Sequence, residues 1–359
     1  MGNKLSNSTG ESCARKKIAI LERKEEFPGK LRPVIEKFKE NEPEPFLRKL
    51  ERKFIDLLCE NYYGVISETK GLNSDRDTEA EVELAIRFFP NVLSKRDRYG
   101  KSIIYRQLKS WKGEFNLKAV SFIPVLAELG IEFDQFEEDE RGGLISGGWN
   151  VLTDLAANCD DQRKRYDEQH QRLVDEKFLT IMKRLRQKGL LKKEDIRESY
   201  LIGTICCQSV FPEQRFQYLV DWDPNSLRIP DGDYNDDLPI HCATHPCYNC
   251  TYIHRFQTIF EAGMRHFPAE IGLLFHKNRY DNTPYQMACQ KFGNEKVKQI
   301  IDDVLNIQEN DIDTINSLIY AATNDGIRFG CFDGVYFLLR REPSVLQTAV
   351  HAGRNRDTR

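Results

Sequence analysis

The chain lacks any apolar run of membrane-spanning length. Its most apolar stretch, "YLIGTICC" at 200–207, falls far short of the ~20 residues that a span needs. It also lacks a dominant charge. Its 53 Lys and Arg face 56 Asp and Glu, for a formal net charge of −3. That removes any global pull toward nucleic acid or an acidic membrane. Period-two alternation is scarce, so little sheet is expected. The ten cysteines, with Cys206 and Cys207 adjacent, follow no regular spacing. In so long a chain this fits free thiols in a reducing cytoplasm, not a disulfide framework. The polar start does not read as a secretory leader.

Catalytic signatures are missing as well. The seven histidines are scattered, four of them at 241–266, and no nucleophile–base constellation emerges. No catalytic residue and no cofactor is expected, and the chain does not read as an enzyme. "RGGLISGGWN" has the glycines of a phosphate loop without the following Lys and Ser/Thr, so it reads as a flexible connection. "DGDYNDDLPIHC" has acidic residues at alternate positions like a calcium loop. It has Asp236 where the turn glycine belongs and Cys242 where the closing Glu belongs. The basic stretch "KRLRQKGLLKK" reads as a solvated helix face.

Apolar helical periodicity is abundant. Hydrophobic residues make up 40% of the chain, enough to support a core. Leu47, Leu50, Phe54, Leu57 and Leu58 fall on one helical face. Thr78 and Glu81 form a capping box ahead of Val82, Ala85 and Ile86. Two helix endings recur. "PVLAELGI", "MKRLRQKGL" and "FQTIFEAGM" align on Gly130, Gly189 and Gly263. Leu126, Leu185 and Ile259 stand four residues earlier, and Ile131, Leu190 and Met264 directly after. This spells an apolar stripe stopped by a glycine at positive φ, then an apolar residue folding back. The second ending places Pro90, Pro224 and Pro343 three residues before Leu93, Leu227 and Leu346, with Pro268 and Ile271 as a variant.

Helix starts identify the unit. Thr283 is a cap, Pro284 suits the first helical position, Gln286 can close a capping box, and Ala288 admits a close neighbour. "DLPIHCA" repeats this with Pro239, His241 and Ala243. Ser102 begins a weaker echo in "YGKSIIYRQL". "DLPIHCA", "IFEAGM" and "NTPYQMAC" resemble the ankyrin pattern T-P-L-H-x-A followed by L-L-x-x-G. Pro239 and Pro284 stand 45 positions apart (284 − 239), against about 33 in an ankyrin unit. In this lengthened form the chain resembles the divergent ankyrin-like proteins numerous in diatom genomes.

The resemblance implies an all-α, ankyrin-like solenoid of helix pairs with long inter-repeat loops. The expected organisation is a disordered arm over 1–30, capping helices over 31–74, a repeat array over 75–350 and a tail over 351–359. The implied function is a protein-binding scaffold or adaptor, with an unidentified protein partner and no nucleic acid. Ankyrin-type arrays bind with turn tips, where Tyr234, Tyr248, Tyr252 and Tyr280 are the candidates. The alternative is a metal-binding or redox-switch protein centred on Cys242, His245, Cys247, Cys250 and His254. Here the Cys247-x-x-Cys250 spacing suits zinc, but a second such pair is absent. The plainer account has His241 tying adjacent turns together and Cys242 facing the core.

The chain opens "MGNKLS", the M-G-x-x-x-[ST] pattern of N-myristoylation, with Gly2 as acceptor. One such chain gives only marginal attachment, and a second signal is at hand. Arg15, Lys16 and Lys17, with Lys4, Arg23 and Lys24, form a basic cluster, and Cys13 is a candidate for palmitoylation. The expected location is therefore cytoplasmic, peripheral on the cytoplasmic face of a membrane. In a eukaryotic cell Gly2→Ala should move the protein from membrane to soluble fractions. Mass spectrometry should find a fatty acyl group on the Gly2 amine of the intact chain. Equal solubility of both forms, with a bare amine, would reduce the motif to an ordinary tail.

Overall fold

A computed structural model describes residues 20–37, 43–59, 71–96, 100–109, 115–157, 168–208, 210–232, 235–245 and 253–307. Among them helix dominates, and the paired strands form one two-residue hairpin. No described helix is long and apolar enough to cross a membrane. The chain divides into two compact units. The first is Met1–Leu155 with Cys159–Lys192, and the second is Ala156–Asn158 with Lys193–Arg359. This division falls inside the stretch read as one array.

The first unit contains α1 (Arg32–Glu36), α2 (Pro43–Cys59), α3 (Glu79–Phe88), α4 (Ile103–Leu108) and α5 (Ile123–Glu132). The hairpin β1 (Ile145–Ser146) and β2 (Trp149–Asn150) follows, then α6 (Val151–Ala156) and α7 (Glu168–Gln187). Within the stretch expected as an arm over 1–30, Leu21 and Phe27 are buried and the Phe27 ring meets Phe88 edge-on at 5.8 Å. Gly2 and Cys13 lie outside the described residues. The stripe on α2 packs as its spacing requires, with Leu50, Phe54 and Leu58 fully buried and Leu47 half-buried. Thr78 Oγ1 accepts the Glu81 N–H at 3.3 Å and Glu81 Oε2 accepts the Thr78 N–H at 2.7 Å, closing the box that starts α3. Ser102 Oγ caps α4 at the Tyr105 N–H, 3.1 Å.

"RGGLISGGWN" is ordered, contrary to its reading as a flexible connection. Gly147 and Gly148, at φ 59 and 78, make the two-residue turn joining β1 to β2. Both residues at positive φ match the twist of a tight hairpin. Asn150 then caps α6, its Oδ1 accepting the Leu152 N–H at 2.9 Å. The basic face of α7 is largely paired. Arg184 grips Glu79 through two bonds of 2.6 and 2.7 Å, and Lys188 meets Glu128 at 2.5 Å.

The second unit runs through α8 (Lys193–Glu198), α9 (Leu201–Cys206), α10 (Glu213–Trp222), α11 (Pro239–Cys242), α12 (His254–His266), α13 (Pro284–Phe292) and α14 (Asn294–Ile307). Asp223 ends α10 fully buried, held by Arg197 at 2.5 and 2.8 Å. The proline stops behave as expected. A short 3-10 turn begins at Pro90, Pro224 and Pro268, and Leu93, Leu227 and Ile271 are buried. Pro343 and Leu346 lie outside the described residues.

The three aligned glycines do not share one role. Gly189 is a helix stop at φ 71, and the Leu190 N–H returns to the Leu185 carbonyl at 2.8 Å. Gly130 and Gly263 instead lie inside α5 and α12, without positive φ. Each faces a returning loop. A Cβ on Gly130 would stand 2.7 Å from the Gly142 carbonyl oxygen, and one on Gly263 would stand 2.6 Å from that of Gly272. The loops turn through matched left-handed pairs, Arg141–Gly142 at φ 48 and 65 and Ile271–Gly272 at φ 48 and 55. A β-branched Ile271 in that region costs roughly 1–2 kcal/mol. Its side chain is buried, and a buried isoleucine returns about 1.5–3 kcal/mol. Because α5 runs on to Glu132, Ile131 takes its outer face and is 53% exposed instead of folding back.

Gly263→Ala should therefore drive a methyl into backbone and destabilise the second unit by about 1–3 kcal/mol. Gly130→Ala should do the same to the first unit. Urea unfolding followed by circular dichroism checks both. Unchanged midpoints would mean the loops are not seated against these glycines.

Candidate functional site

Helix α11 begins without a capping oxygen, because Leu238 stands where Thr or Ser would serve. The deficit is met from inside the turn. The Leu238 N–H donates to His241 Nδ1 at 3.0 Å. With Nδ1 accepting, the ring proton sits on Nε2, which donates to the Asn282 carbonyl at 3.2 Å. His241 thus caps its own helix and holds the next turn. It is fully buried, and burial pushes its pKa down to about 4. Pro239 occupies the first helical position, and Ala243 packs beneath.

Asp237 organises the surrounding turn. Its Oδ1 accepts from Asn278 Nδ2 at 2.7 Å, and its Oδ2 accepts from His245 Nε2 at 2.8 Å and Asn235 Nδ2 at 3.3 Å. Its carbonyl accepts the Asp231 N–H at 3.0 Å and the Tyr200 hydroxyl at 2.8 Å. Burial alone would raise the Asp237 pKa, yet the hydrogen bonds from His245 and Asn278 hold it at about 2. The same contact raises the His245 pKa. Asn278 carries the bonding across, its Oδ1 accepting the N–H groups of Tyr280 and Asn282 at 3.0 Å each. The Arg279 N–H donates to the Asn235 carbonyl at 2.8 Å. Two successive turns are therefore joined by backbone and side chain. The second ends at Thr283, which shares a full capping box with Gln286 at 3.1 and 3.2 Å, followed by Pro284 and the buried Ala288.

Three thiols stand beside this turn. Tyr200, at the start of α9, lays its ring where a Cβ on Gly203 would be, only 1.8 Å away, and its hydroxyl lies 3.8 Å from Cys242 Sγ. Cys242 and Cys206 are buried, and Cys207 is exposed. The Cys242 thiol lowers the Cys207 pKa against the effect of burial, with help from the charge of His245. The Cys242 pKa is raised, first by the Cys207 thiol and then by burial. Burial raises Cys206 and Tyr200 too.

Sequence-based expectations are met unevenly. Pro239, His241, Ala243, Thr283, Pro284, Gln286 and Ala288 gather around the two turns. Gly263 lies apart, against Gly272. Tyr280 projects from the second turn, 64% exposed. Tyr234, Tyr248, Tyr252, Cys247 and Cys250 lie outside the described residues. Among the described residues no group of His, Cys, Asp and Glu is arranged to hold a metal. Cys242 turns to Tyr200, His245 binds Asp237, and His254 meets Glu213 at 3.3 Å on an exposed face. Tyr200, Cys207, Asp237 and Asn278 were not singled out by sequence. Only the adjacent cysteines carried a hint, and adjacency does not name their partner. No protein-family model, no curated protein and no solved structure matches the chain.

The depressed pKa of His241 sets a pH dependence. Its ordinary value is 6.5 and its folded value about 4, so its contribution is present above 6.5 and lost as pH falls through 4. The loss is on the order of 3 kcal/mol. The raised pKa of His245 acts oppositely, its contribution fading as pH rises, but its side chain is 40% exposed and its effect is small. Thermal unfolding at pH 7 and pH 5 should show the second unit weakening, and His241→Asn should reduce that slope, the remainder belonging to His276, whose pKa burial also pushes down to about 4. A slope unchanged in His241→Asn would place the titration elsewhere.

Proposed function

We propose that this chain is a protein-binding scaffold or adaptor built on ankyrin-like helix pairs stacked as a solenoid. The observation that carries the reading is His241. It bonds the Leu238 N–H of its own turn and the Asn282 carbonyl of the next, the wiring that the resemblance to T-P-L-H-x-A implies. The matched glycine contacts at Gly130 and Gly263 support a repeated unit. In this reading the turns present side chains and the helices set their spacing. Tyr280 is the contact residue, offering a broad amphipathic ring at small entropic cost. The arm with Gly2 and Cys13 would hold the scaffold at the cytoplasmic face of a membrane.

The test is quantitative affinity capture with the full chain and with Tyr280→Ala as baits. A Tyr hot spot costs ~2 kcal/mol or more, so a true partner should fall by about 30-fold. The melting temperature should stay unchanged, since Tyr280 covers little core. If every captured protein binds both baits equally, the turn tip is not the binding surface.

A further inference from the structure

In the first unit Lys101 lies against two aromatic faces at once. Its Nζ stands 4.0 Å from the centroid of the Trp149 ring and 4.6 Å from that of Tyr105. The two rings are 5.1 Å apart and tilted by 54°, so the ammonium closes a triangle with them. Both walls are fixed by the fold. Tyr105 is buried in α4, whose cap Ser102 donates its hydroxyl to the Gly143 carbonyl at 3.2 Å. Trp149 stands in β2 opposite Ser146, and Ser146 is bonded to Arg96 and Glu140. Arg96 engages Glu140 at 2.9 Å, so that carboxylate already has its cation. The pull of Tyr105 and Trp149 on Lys101 is that of two ring faces.

We propose that Tyr105 and Trp149 form a seat for the methylated ammonium of a partner protein's lysine side chain, with Lys101 as its built-in occupant. Lys101 shows that the seat takes an alkylammonium. A cation held by half-exposed ring faces is held weakly, so an exchanging ligand has little to displace. Methylation favours the exchange. Each methyl replaces an N–H donor that water binds strongly, which lowers the cost of leaving water and keeps the positive charge for the rings. Lys101 retains its full demand for hydration, so a methylated competitor gains more from the same two faces.

The surroundings suit a side chain borne on a peptide. The hairpin turn and the turn before Ser102 are neighbours, since a Cβ on Gly147 would stand 3.3 Å from the Gly100 carbonyl oxygen. Gly148 precedes Trp149 and Gly100 precedes Lys101, and a Cβ on either would meet nothing within 4 Å. Open space therefore adjoins the seat, and a peptide backbone can lie there. Neither the walls nor the occupant take part in the scaffold reading, and Tyr280 belongs to the second unit, so the two binding sites succeed or fail separately.

The experiment is an NMR titration of the full chain labelled with nitrogen-15 at its three tryptophan indoles, the Trp149 signal being assigned by its loss in Trp149→Phe. The ligands are a glycine-flanked pentapeptide carrying trimethyllysine, the same peptide with unmodified lysine, and choline chloride. The trimethyllysine peptide should shift the Trp149 signal saturably and bind at least about fivefold more tightly than the lysine peptide. Choline should bind more weakly than the trimethyllysine peptide, since it has no backbone to lie beside Gly148. Removing the occupant in Lys101→Ala should tighten the trimethyllysine peptide by about 2–5-fold, the worth of the exposed cation–π contact that no longer competes. The unmutated chain alone decides the first comparison and needs no variant to fold. No saturable shift of any tryptophan signal, a shift confined to a tryptophan other than Trp149, or equal binding of the two peptides would each overturn the seat. Unchanged or weaker binding by a folded Lys101→Ala chain would overturn the role of Lys101 as occupant. Choline binding as tightly as the trimethyllysine peptide would overturn the assignment to a protein side chain.

Discussion

A helix start needs an acceptor for its first backbone N–H groups, and α11 begins at a leucine that has none. Everything around the polar turn answers to that shortage. The acceptor is the ring of His241, which must stay unprotonated at Nδ1 and so must carry its proton on Nε2. A buried donor on Nε2 then needs a partner, and the nearest turn supplies the Asn282 carbonyl. One missing hydroxyl thus becomes a bond between turns. The arrangement also accounts for Asp237. Its carboxylate is held by hydrogen bonds from His245 and from the amides of Asn235 and Asn278. At Thr283 the cap is of the ordinary kind, and there the side chains spend their bonds within one helix.

Local signals were legible in the sequence where they act within a few residues. The capping boxes at Thr78 and Thr283, the cap at Ser102, the proline stops and the buried stripe of α2 all follow from spacing alone. Gly130 and Gly263 show where that logic ends. A glycine near a helix end reads as a stop, and at Gly189 it is one. At the other two positions the helix continues, and glycine is needed because a distant carbonyl occupies the space of a side chain. Nothing in "AELGI" or "FEAGM" says what will approach. The hairpin at Gly147 and Gly148 was missed for a related reason, since two glycines promise freedom as readily as a tight turn.

The candidate site divides along the same line. His241 and its neighbours carried a motif, so their place beside the next turn was foreseeable. Tyr200 and Asn278 lie 37 and 41 residues from the Asp237 atoms they meet, in segments without a signature. Their meeting is a product of packing between α9, α11 and the turn before α13. The metal reading also depended on proximity in sequence. Cys242, His245 and His254 stand close along the chain, yet the fold directs them to three different partners.

The seat of Gly263 on Gly272 has a consequence for how the second unit assembles. The contact joins residues of one short span, and the Phe267 N–H to Gly263 carbonyl bond at 2.7 Å and the Gly272 N–H to Phe267 carbonyl bond at 3.1 Å lie wholly inside it. Closing so small a loop costs little chain entropy. During synthesis α12 and its return can fold together once a few residues beyond Gly272 have emerged, before α13 does. The bond from His241 to Asn282 spans far more chain and has to wait. The growing polypeptide therefore acquires its helix-and-return element first, and the link between turns is its late event.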